Sequence, residues 1–276
     1  MIDGKTKLIC LIGQDVTKSL SPNIHNYIYD KYNLNYSYMN FSLEEKDLES
    51  FVNSVKVLDI KGFNVTIPYK EKIIEFLDEI DESAKNIKAV NTVKNIDGKL
   101  IGYNTDGAGY VLSLETNKVN IEHKNILIIG AGGAARGILY EICKYKPNSI
   151  HIKNRTQFKS EILIDEVKNI YKKIDFGNFD ENIDYDLIIN TTSIGMKDET
   201  KTPFELDKIK NSVISDIVYI PRETKFLKDG KSKNFKTIEG IEMLICQGII
   251  ADQIWLDTEF DTKSLLDEIK NMIFEK

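Results

Sequence analysis

The sequence predicts an α/β protein built as two domains. Its 276 residues fall where a single hydrophobic core stops growing. Short apolar runs alternate with amphipathic stretches along the chain, the pattern of parallel sheets flanked by helices. After a hairpin-like interruption, a fresh strand–glycine–helix unit opens at Asn125. Taken in order, Lys7 to Gly13 reads as a buried strand, followed by a polar loop and a helix starting near Pro22. Residues 62–67 form a second strand, and Ile73, Ile74, Leu77 and Ile80 give 70–80 helical spacing. Residues 89–93 and 100–103 flank Asp97-Gly98, a turn dipeptide suited to a hairpin. Asn125 to Ile129 is a strand ending at Gly130, with a helical stretch running to Tyr145. Further strands are expected at Ser149 to Lys153, 186–190 and 212–218, spaced for crossover connections. Residues 240–276 carry two helical patterns that return to the first domain, so the expected boundaries are 1–107 with about 240–276, and 108–239.

Composition narrows the function classes. Hydrophobic residues at 42% and charged residues at 29% describe a globular chain with ample core material, which excludes disorder and collagen. No apolar run approaches the roughly 20 residues that span a bilayer. The start, Lys5-Thr6-Lys7 and then a short apolar segment, lacks a signal-peptide pattern, so a cytoplasmic address is expected. Lys and Arg total 37 against 43 Asp and Glu, a net charge of -6, so no basic footprint for nucleic acid is present. Cys10, Cys143 and Cys246 lie far apart, and His25, His123 and His151 are equally scattered. Neither a disulfide framework nor a metal site is expected.

The chemistry begins at Gly130-Ala131-Gly132-Gly133-Ala134-Ala135-Arg136-Gly137, directly after a strand and directly before a helix. Glycines there let the backbone approach a pyrophosphate, while free amides at the helix start face its charge, so the segment reads as a dinucleotide-binding turn. An NAD site carries an acidic residue at the end of the next strand. This chain has Asn154-Arg155-Thr156 there and Lys159 a turn later. Arg155 offers a charge-assisted fork to a 2′-phosphate and Thr156 a hydroxyl donor, so the expected cofactor is NADP.

Other polar clusters read ambiguously one at a time. In Asn64-Val65-Thr66-Ile67-Pro68-Tyr69-Lys70, Asn64 and Thr66 face the same side of an extended strand and converge at its exit. Pro68 suits a helix start and places Lys70 in the first turn, where the helix end disfavours a cation and draws its pKa down toward proton transfer. A lysine reaching into water explains the same residue by itself. Ser19-Leu20-Ser21-Pro22 pairs two hydroxyls, although Ser21 also reads as an N-cap. Ala89-Val90-Asn91-Thr92 and Gly102-Tyr103-Asn104-Thr105-Asp106-Gly107 place an amide and a carboxylate at the two ends of the hairpin, which turn chemistry alone would also produce.

In combination, order and spacing, these segments resemble the shikimate dehydrogenase family over nearly the full length. The resemblance continues through Asn190-Thr191-Thr192-Ser193-Ile194-Gly195-Met196, Asp216-Ile217-Val218-Tyr219 with Pro221 and Thr224, and Gly240-Ile241-Glu242-Met243-Leu244 with Gln247. It implies an amino-terminal α/β substrate domain, a Rossmann-type NADP-binding domain and an active-site cleft between them. It also implies NADPH-dependent reduction of 3-dehydroshikimate to shikimate, a step toward aromatic amino acids. By the same resemblance Ser19 and Ser21 bind the substrate carboxylate, and Thr66 supports that end. Lys70 and Asp106 flank the reacting carbon and its neighbouring hydroxyl, with Lys70 as proton donor oriented by Asp106. Asn91, Tyr219 and Gln247 complete the polar contacts, and Asn64 lines the pocket. Gly130, Ala131, Gly132, Gly133 and Ala134 hold the dinucleotide with Asn154, Arg155, Thr156 and Lys159, while Glu82, Ile217 and Gly240 touch the cofactor or line its edge.

Rival expectations are weaker. A quinate/shikimate dehydrogenase using NAD is disfavoured by Arg155, Thr156 and Lys159, and a non-catalytic sensor by the joint presence of Lys70 and Asp106. The family contains monomers and dimers, so a homodimer is admitted. The chain departs from the family after Gln247: Asp252 stands where an aromatic is usual, and Trp255-Leu256-Asp257 replaces a helix end at Gly, so different carboxy-terminal packing is expected.

Overall fold

The computed structural model describes residues 2–274. It divides into two compact units: one runs to Thr105 and takes up the chain again at Ile245, the other spans Asp106–Leu244.

The first unit contains β1 (Lys7–Gly13), α1 (Ser21–Lys31), β2 (Tyr36–Ser42), α2 (Leu48–Val57), β3 (Gly62–Val65), β4 (Glu79–Ile80), α3 (Glu82–Lys85), β5 (Thr92–Ile96) and β6 (Lys99–Tyr103). Its six strands are ordered β2-β1-β3-β5-β6-β4. The continuous apolar run of β1 suits a strand that pairs in parallel with β2 on one side and β3 on the other. The expected hairpin forms as β5 and β6, where Asp97 (φ 50°) and Gly98 (φ 88°) supply the left-handed pair of a tight two-residue turn. The core gathers Ile12, Phe63, Val65, Val93 and Leu100 with Leu48, Val52 and Val55 of α2, which recur at helical spacing.

Residues 70–80 do not form the expected helix. After a turn at 67–71, a 3-10 segment covers only Lys72–Phe76, and β4 then pairs with β6. The ladder competes successfully for the backbone: the Asp78 N–H donates to Leu100 O at 3.0 Å and the Asp81 N–H to Gly102 O at 2.8 Å. Ile73, Ile74, Leu77 and Ile80 still meet the core, so their spacing was satisfied without an α-helix.

The second unit contains α4 (Asp106–Thr116), β7 (Asn125–Ile129), α5 (Gly133–Cys143), β8 (Ser149–Lys153), α6 (Gln157–Lys168), β9 (Asp175–Asn178), β10 (Leu187–Asn190), β11 (Val213–Asp216), α7 (Lys225–Ser232) and β12 (Thr237–Ile238). Its strands are ordered β12-β11-β10-β7-β8-β9, all parallel. This is the doubly wound order, and its direction reverses between β7 and β10, the switch point where such sheets bind ligands. The unit begins at Asp106 rather than at the expected residue 108, because α4 packs on α5 with Gly107 against the Gly137 carbonyl.

Helix α8 (Gly240–Leu256) crosses the unit boundary, and α9 (Thr262–Phe274) follows it. Within the first unit the Trp255 indole N–H donates to Val93 O at 2.8 Å, and α9 docks on α1 through Glu268, which accepts from Tyr27 at 2.8 Å and pairs with Lys31. Among the described residues no helix is long and apolar enough to cross a membrane.

Candidate active site

The glycine turn lies where β7 ends. Gly130 has φ +116°, a conformation that L side chains rarely adopt, and a Cβ there would meet the Thr191 hydroxyl. Thr191 is held by its bond to Ile129 O at 2.8 Å, so the loop after β10 packs directly on the turn. Gly132 caps α5 in extended backbone (φ -93°, ψ -171°). A Cβ at Gly132 or Gly133 would meet no atom within 4 Å, so protein packing does not demand glycine at either place. An open backbone surface beside unpaired first-turn amides is the shape a dinucleotide pyrophosphate needs. Arg136, inside the same motif, is paired with Glu166.

At the end of β8, the Asn154 amide donates to Thr156 O at 2.8 Å and shapes the turn into α6. Arg155, Thr156 and Lys159 are exposed. Among the described residues no carboxylate pairs with Arg155 or Lys159. Two uncommitted cations and a hydroxyl on one turn fit a 2′-phosphate. These residues and the glycine turn therefore fit NADP.

A buried polar set unforeseen in the sequence fixes the loop after β11. Asp216, 1% exposed, accepts from Asn190 Nδ2 at 2.9 Å, Val218 N at 2.9 Å and Thr224 Oγ1 at 2.7 Å. The loop carries Ile217 and Tyr219, and Gly240 approaches the Ile217 and Val218 carbonyls so closely that any side chain there would strike them. Tyr219 is half-buried, and burial raises its phenol above the ordinary value. Burial also pushes the Asp216 carboxyl up to about 6, against the pull of its hydrogen bonds. The folded state thus holds this proton more tightly than the unfolded state, so the associated stability is present below about pH 4 and lost as pH rises through about 6. In urea titrations, wild type should lose about 3 kcal/mol relative to the non-titrating Asp216→Asn between those limits. A stability difference that stays constant from pH 4 to 7 contradicts the assignment.

In the first unit the expected substrate residues fall into a serine pair and a larger network. The Ser19 hydroxyl donates to Ser21 Oγ at 3.1 Å and accepts from the Ser21 N–H at 3.2 Å. Burial holds the Tyr38 phenol well above its ordinary value. The Tyr38 hydroxyl donates to Asn64 Oδ1 at 2.6 Å, which leaves the Asn64 Nδ2 to donate to Asn91 O and Thr92 Oγ1, each at 3.0 Å. Asn91 accepts from Thr105 N at 2.9 Å and donates to Thr105 Oγ1 at 3.0 Å, reaching Gln247 Oε1 at 3.4 Å. All of these except Ser19 are buried, so the network is rigid as well as polar. No role was expected of Tyr38, Thr92 or Thr105: Tyr38 lies in no motif, while Thr92 and Thr105 lie inside the segments of Asn91 and Asp106 and join through bonds that only the fold reveals.

Several expectations need correction. Ser21 is not an N-cap: Leu20 occupies that position without a side-chain bond, and Ser21 is the first helical residue. The network engages Asn64, while Thr66 lies just past the end of β3. Thr66 is half-buried, its N–H bonds Ile12 O at 2.9 Å, and its hydroxyl has no partner among the described residues. Lys70 does not sit in a helix's first turn. Instead it is half-buried in the turn at 67–71, which follows a cis Ile67–Pro68 bond, and its carbonyl accepts from Val90 N at 2.8 Å beside Asn91. Buried Tyr69 anchors that turn through Leu43 O at 2.7 Å. Asp106 opens α4, where the helix end favours its negative charge. Glu82 is exposed at the start of α3 in the first unit and pairs with Lys85.

Comparison with known proteins follows the same division. Residues 11–93 match the family model of the shikimate dehydrogenase substrate binding domain, and residues 113–229 that of shikimate / quinate 5-dehydrogenase. The chain is 43% identical over 282 residues to the shikimate dehydrogenase (NADP(+)) of Methanococcus aeolicus, covering 100% of this chain and 99% of that protein. A crystal structure of a shikimate dehydrogenase in complex with NADP+ is similar with a TM-score of 0.91 at 42% identity, covering 99% of this chain and 98% of that one. The shikimate 5-dehydrogenase of Listeria monocytogenes, solved with shikimate and NAD, is similar with a TM-score of 0.90 at 32% identity and the same 99% and 98% coverage.

Proposed function

The chain belongs to the shikimate dehydrogenase family, and on that premise we propose that it reduces 3-dehydroshikimate reversibly to shikimate with NADPH, on the route to chorismate and the aromatic amino acids. The observation that carries this is the hydrogen-bonded pair of Ser19 and Ser21 together with the buried set of Asn64, Asn91 and Gln247, a lining for a small polyhydroxy acid in a unit that also carries Lys70. In this proposal the first unit is the substrate domain and the second the NADP domain.

Ser19 and Ser21 receive the substrate carboxylate, their hydroxyl protons turning from each other to the anion, and the unpartnered Thr66 hydroxyl supports the same end. Asn91, Gln247 and Tyr219 bond the ring hydroxyls, and Asn64 keeps Asn91 in place. The turn from Gly130 to Ala134, with Ala131 between its glycines, holds the pyrophosphate. Asn154, Arg155, Thr156 and Lys159 hold the 2′-phosphate, with Ile217, Gly240 and Glu82 at the edge of the cofactor site. Bound NADPH supplies the hydride. Lys70 polarises the substrate carbonyl and donates its proton to the oxygen as negative charge develops there, and it takes that proton back in the reverse direction. Asp106 accepts from the hydroxyl beside the reacting carbon.

Small molecules are the proposed partners, and we place the reaction in the cytoplasm, where NADPH is kept reduced. Steady-state rates with NADP+ against NAD+, and with shikimate against quinate, test the assignment. NADP+ and shikimate should each be favoured by at least about tenfold in kcat/KM, the range expected when a charged group of one ligand is recognised and absent from the other. Preference for NAD+ and quinate contradicts it.

A further inference from the structure

Asp252, one of the departures in α8, is fully buried, and so is His25. Asp252 Oδ2 accepts from His25 Nδ1–H at 2.8 Å and Oδ1 from the Tyr29 hydroxyl at 2.7 Å. Both donors lie on α1, one turn apart. His25 Nε2 is buried with no partner among the described residues. The imidazole lies face to face with Tyr38, ring centroids 4.1 Å apart and planes 14° from parallel. Trp255 packs against both rings.

A buried carboxylate is an expensive way to join two helices, since well-packed apolar residues of similar volume commonly do as well or better. What Asp252 adds is orientation. Accepting from Nδ1–H selects the tautomer of His25 and the plane of its ring, and the stacked Tyr38 ring has to follow that plane. The Tyr38 hydroxyl then bonds Asn64 Oδ1 at 2.6 Å.

We infer that Asp252, His25 and Tyr29 form a positioning device that sets the Tyr38 ring, and through it the Asn64 amide and the Asn91 it holds in the substrate site. The inference rests on the substrate site proposed above. It makes Asp252 a positioning residue, acting on substrate affinity through Tyr38 and leaving cofactor binding alone.

The test uses the full chain, with KM for shikimate and for NADP+, kcat and thermal stability measured for Asp252→Asn, His25→Asn, Tyr38→Phe and the double variant Asp252→Asn/Tyr38→Phe. Asp252→Asn should raise the shikimate KM about tenfold and leave the NADP+ KM within about twofold, the scale of one lost hydrogen-bond orientation. His25→Asn keeps an amide donor for Asp252 while removing the stacked ring, and it should raise the shikimate KM equally. The double variant should be no worse than the more affected single one, because both changes act through one ring. Lowered thermal stability with an unmoved shikimate KM in both Asp252→Asn and His25→Asn reduces the cluster to a structural staple and overturns the inference. Additive effects in the double variant overturn it as well. If Asp252→Asn does not fold, the His25→Asn result decides. An unaltered protein that turns over no shikimate overturns the functional proposal and the inference with it. A working wild type beside variants with unchanged shikimate KM overturns the inference alone.

Discussion

Replacing Lys70 by Ala is expected to lower kcat for shikimate oxidation by at least about 10²-fold with the shikimate KM nearly unchanged. The asymmetry follows from where Lys70 acts. In the proposed site, ground-state affinity is distributed over Ser19, Ser21, Asn91 and Gln247, of which Ser21, Asn91 and Gln247 are buried. The ammonium makes its strongest interaction only as charge grows on the carbonyl oxygen, so its loss raises the barrier while binding remains. Lys70→Arg separates charge from proton transfer: a guanidinium keeps the cation but does not release its proton near neutral pH. It should recover only a small part of the lost rate. The fold should tolerate both changes, because neither removes the bonds that the Lys70 carbonyl and the Tyr69 hydroxyl make at the turn of 67–71. An unaltered kcat in Lys70→Ala removes the lysine from the chemistry.

Arg155→Ala should raise the KM for NADP+ by about 10- to 100-fold while leaving activity with NAD+ within about twofold, erasing most of the preference between them. Hydrogen bonds to a charged partner are worth about 1.5–3 kcal/mol, which converts to that range. Arg155 is exposed and has no acidic partner among the described residues, so its removal leaves no buried charge behind and should hardly change stability. The loss therefore reports on recognition of the 2′-phosphate alone. Equal losses with NADP+ and NAD+ would mean that Arg155 shapes the loop instead of reading the phosphate.

The parts of the fold that the sequence foretold are those governed by short-range rules. The apolar runs of β1 and β8 end where burial ends, and the turn of the β5–β6 hairpin follows from Asp97-Gly98. Residues 70–80 were misread because four apolar side chains at helical spacing can also be buried by a 3-10 turn and a strand once β6 competes for the backbone. β2 and α2 drew no expectation, since Tyr36–Ser42 is mixed in polarity and α2 follows a 3-10 turn without a side-chain cap.

At the site, motifs exposed the residues that would touch ligands but not those that hold them. Tyr38 acts through Asn64, distant in the chain, and lies in no motif, whereas Thr105 and Asp216 lie inside motifs whose cross-chain bonds only the fold reveals. Asp252 and Asp257 were visible as departures, yet their meaning needed the fold. Asp252 meets His25 and Tyr29. Asp257 takes φ 51° just past the end of α8, the conformation a glycine would favour, and its carboxylate pairs with Lys94 at 2.5 Å.

The most direct test of the proposed activity is to mix the purified chain with NADPH and 3-dehydroshikimate and follow the nicotinamide absorbance together with the product. One NADPH oxidised for each shikimate formed is the expected result. Binding of shikimate without any NADPH oxidation would contradict it and leave a ligand-binding protein in place of an enzyme.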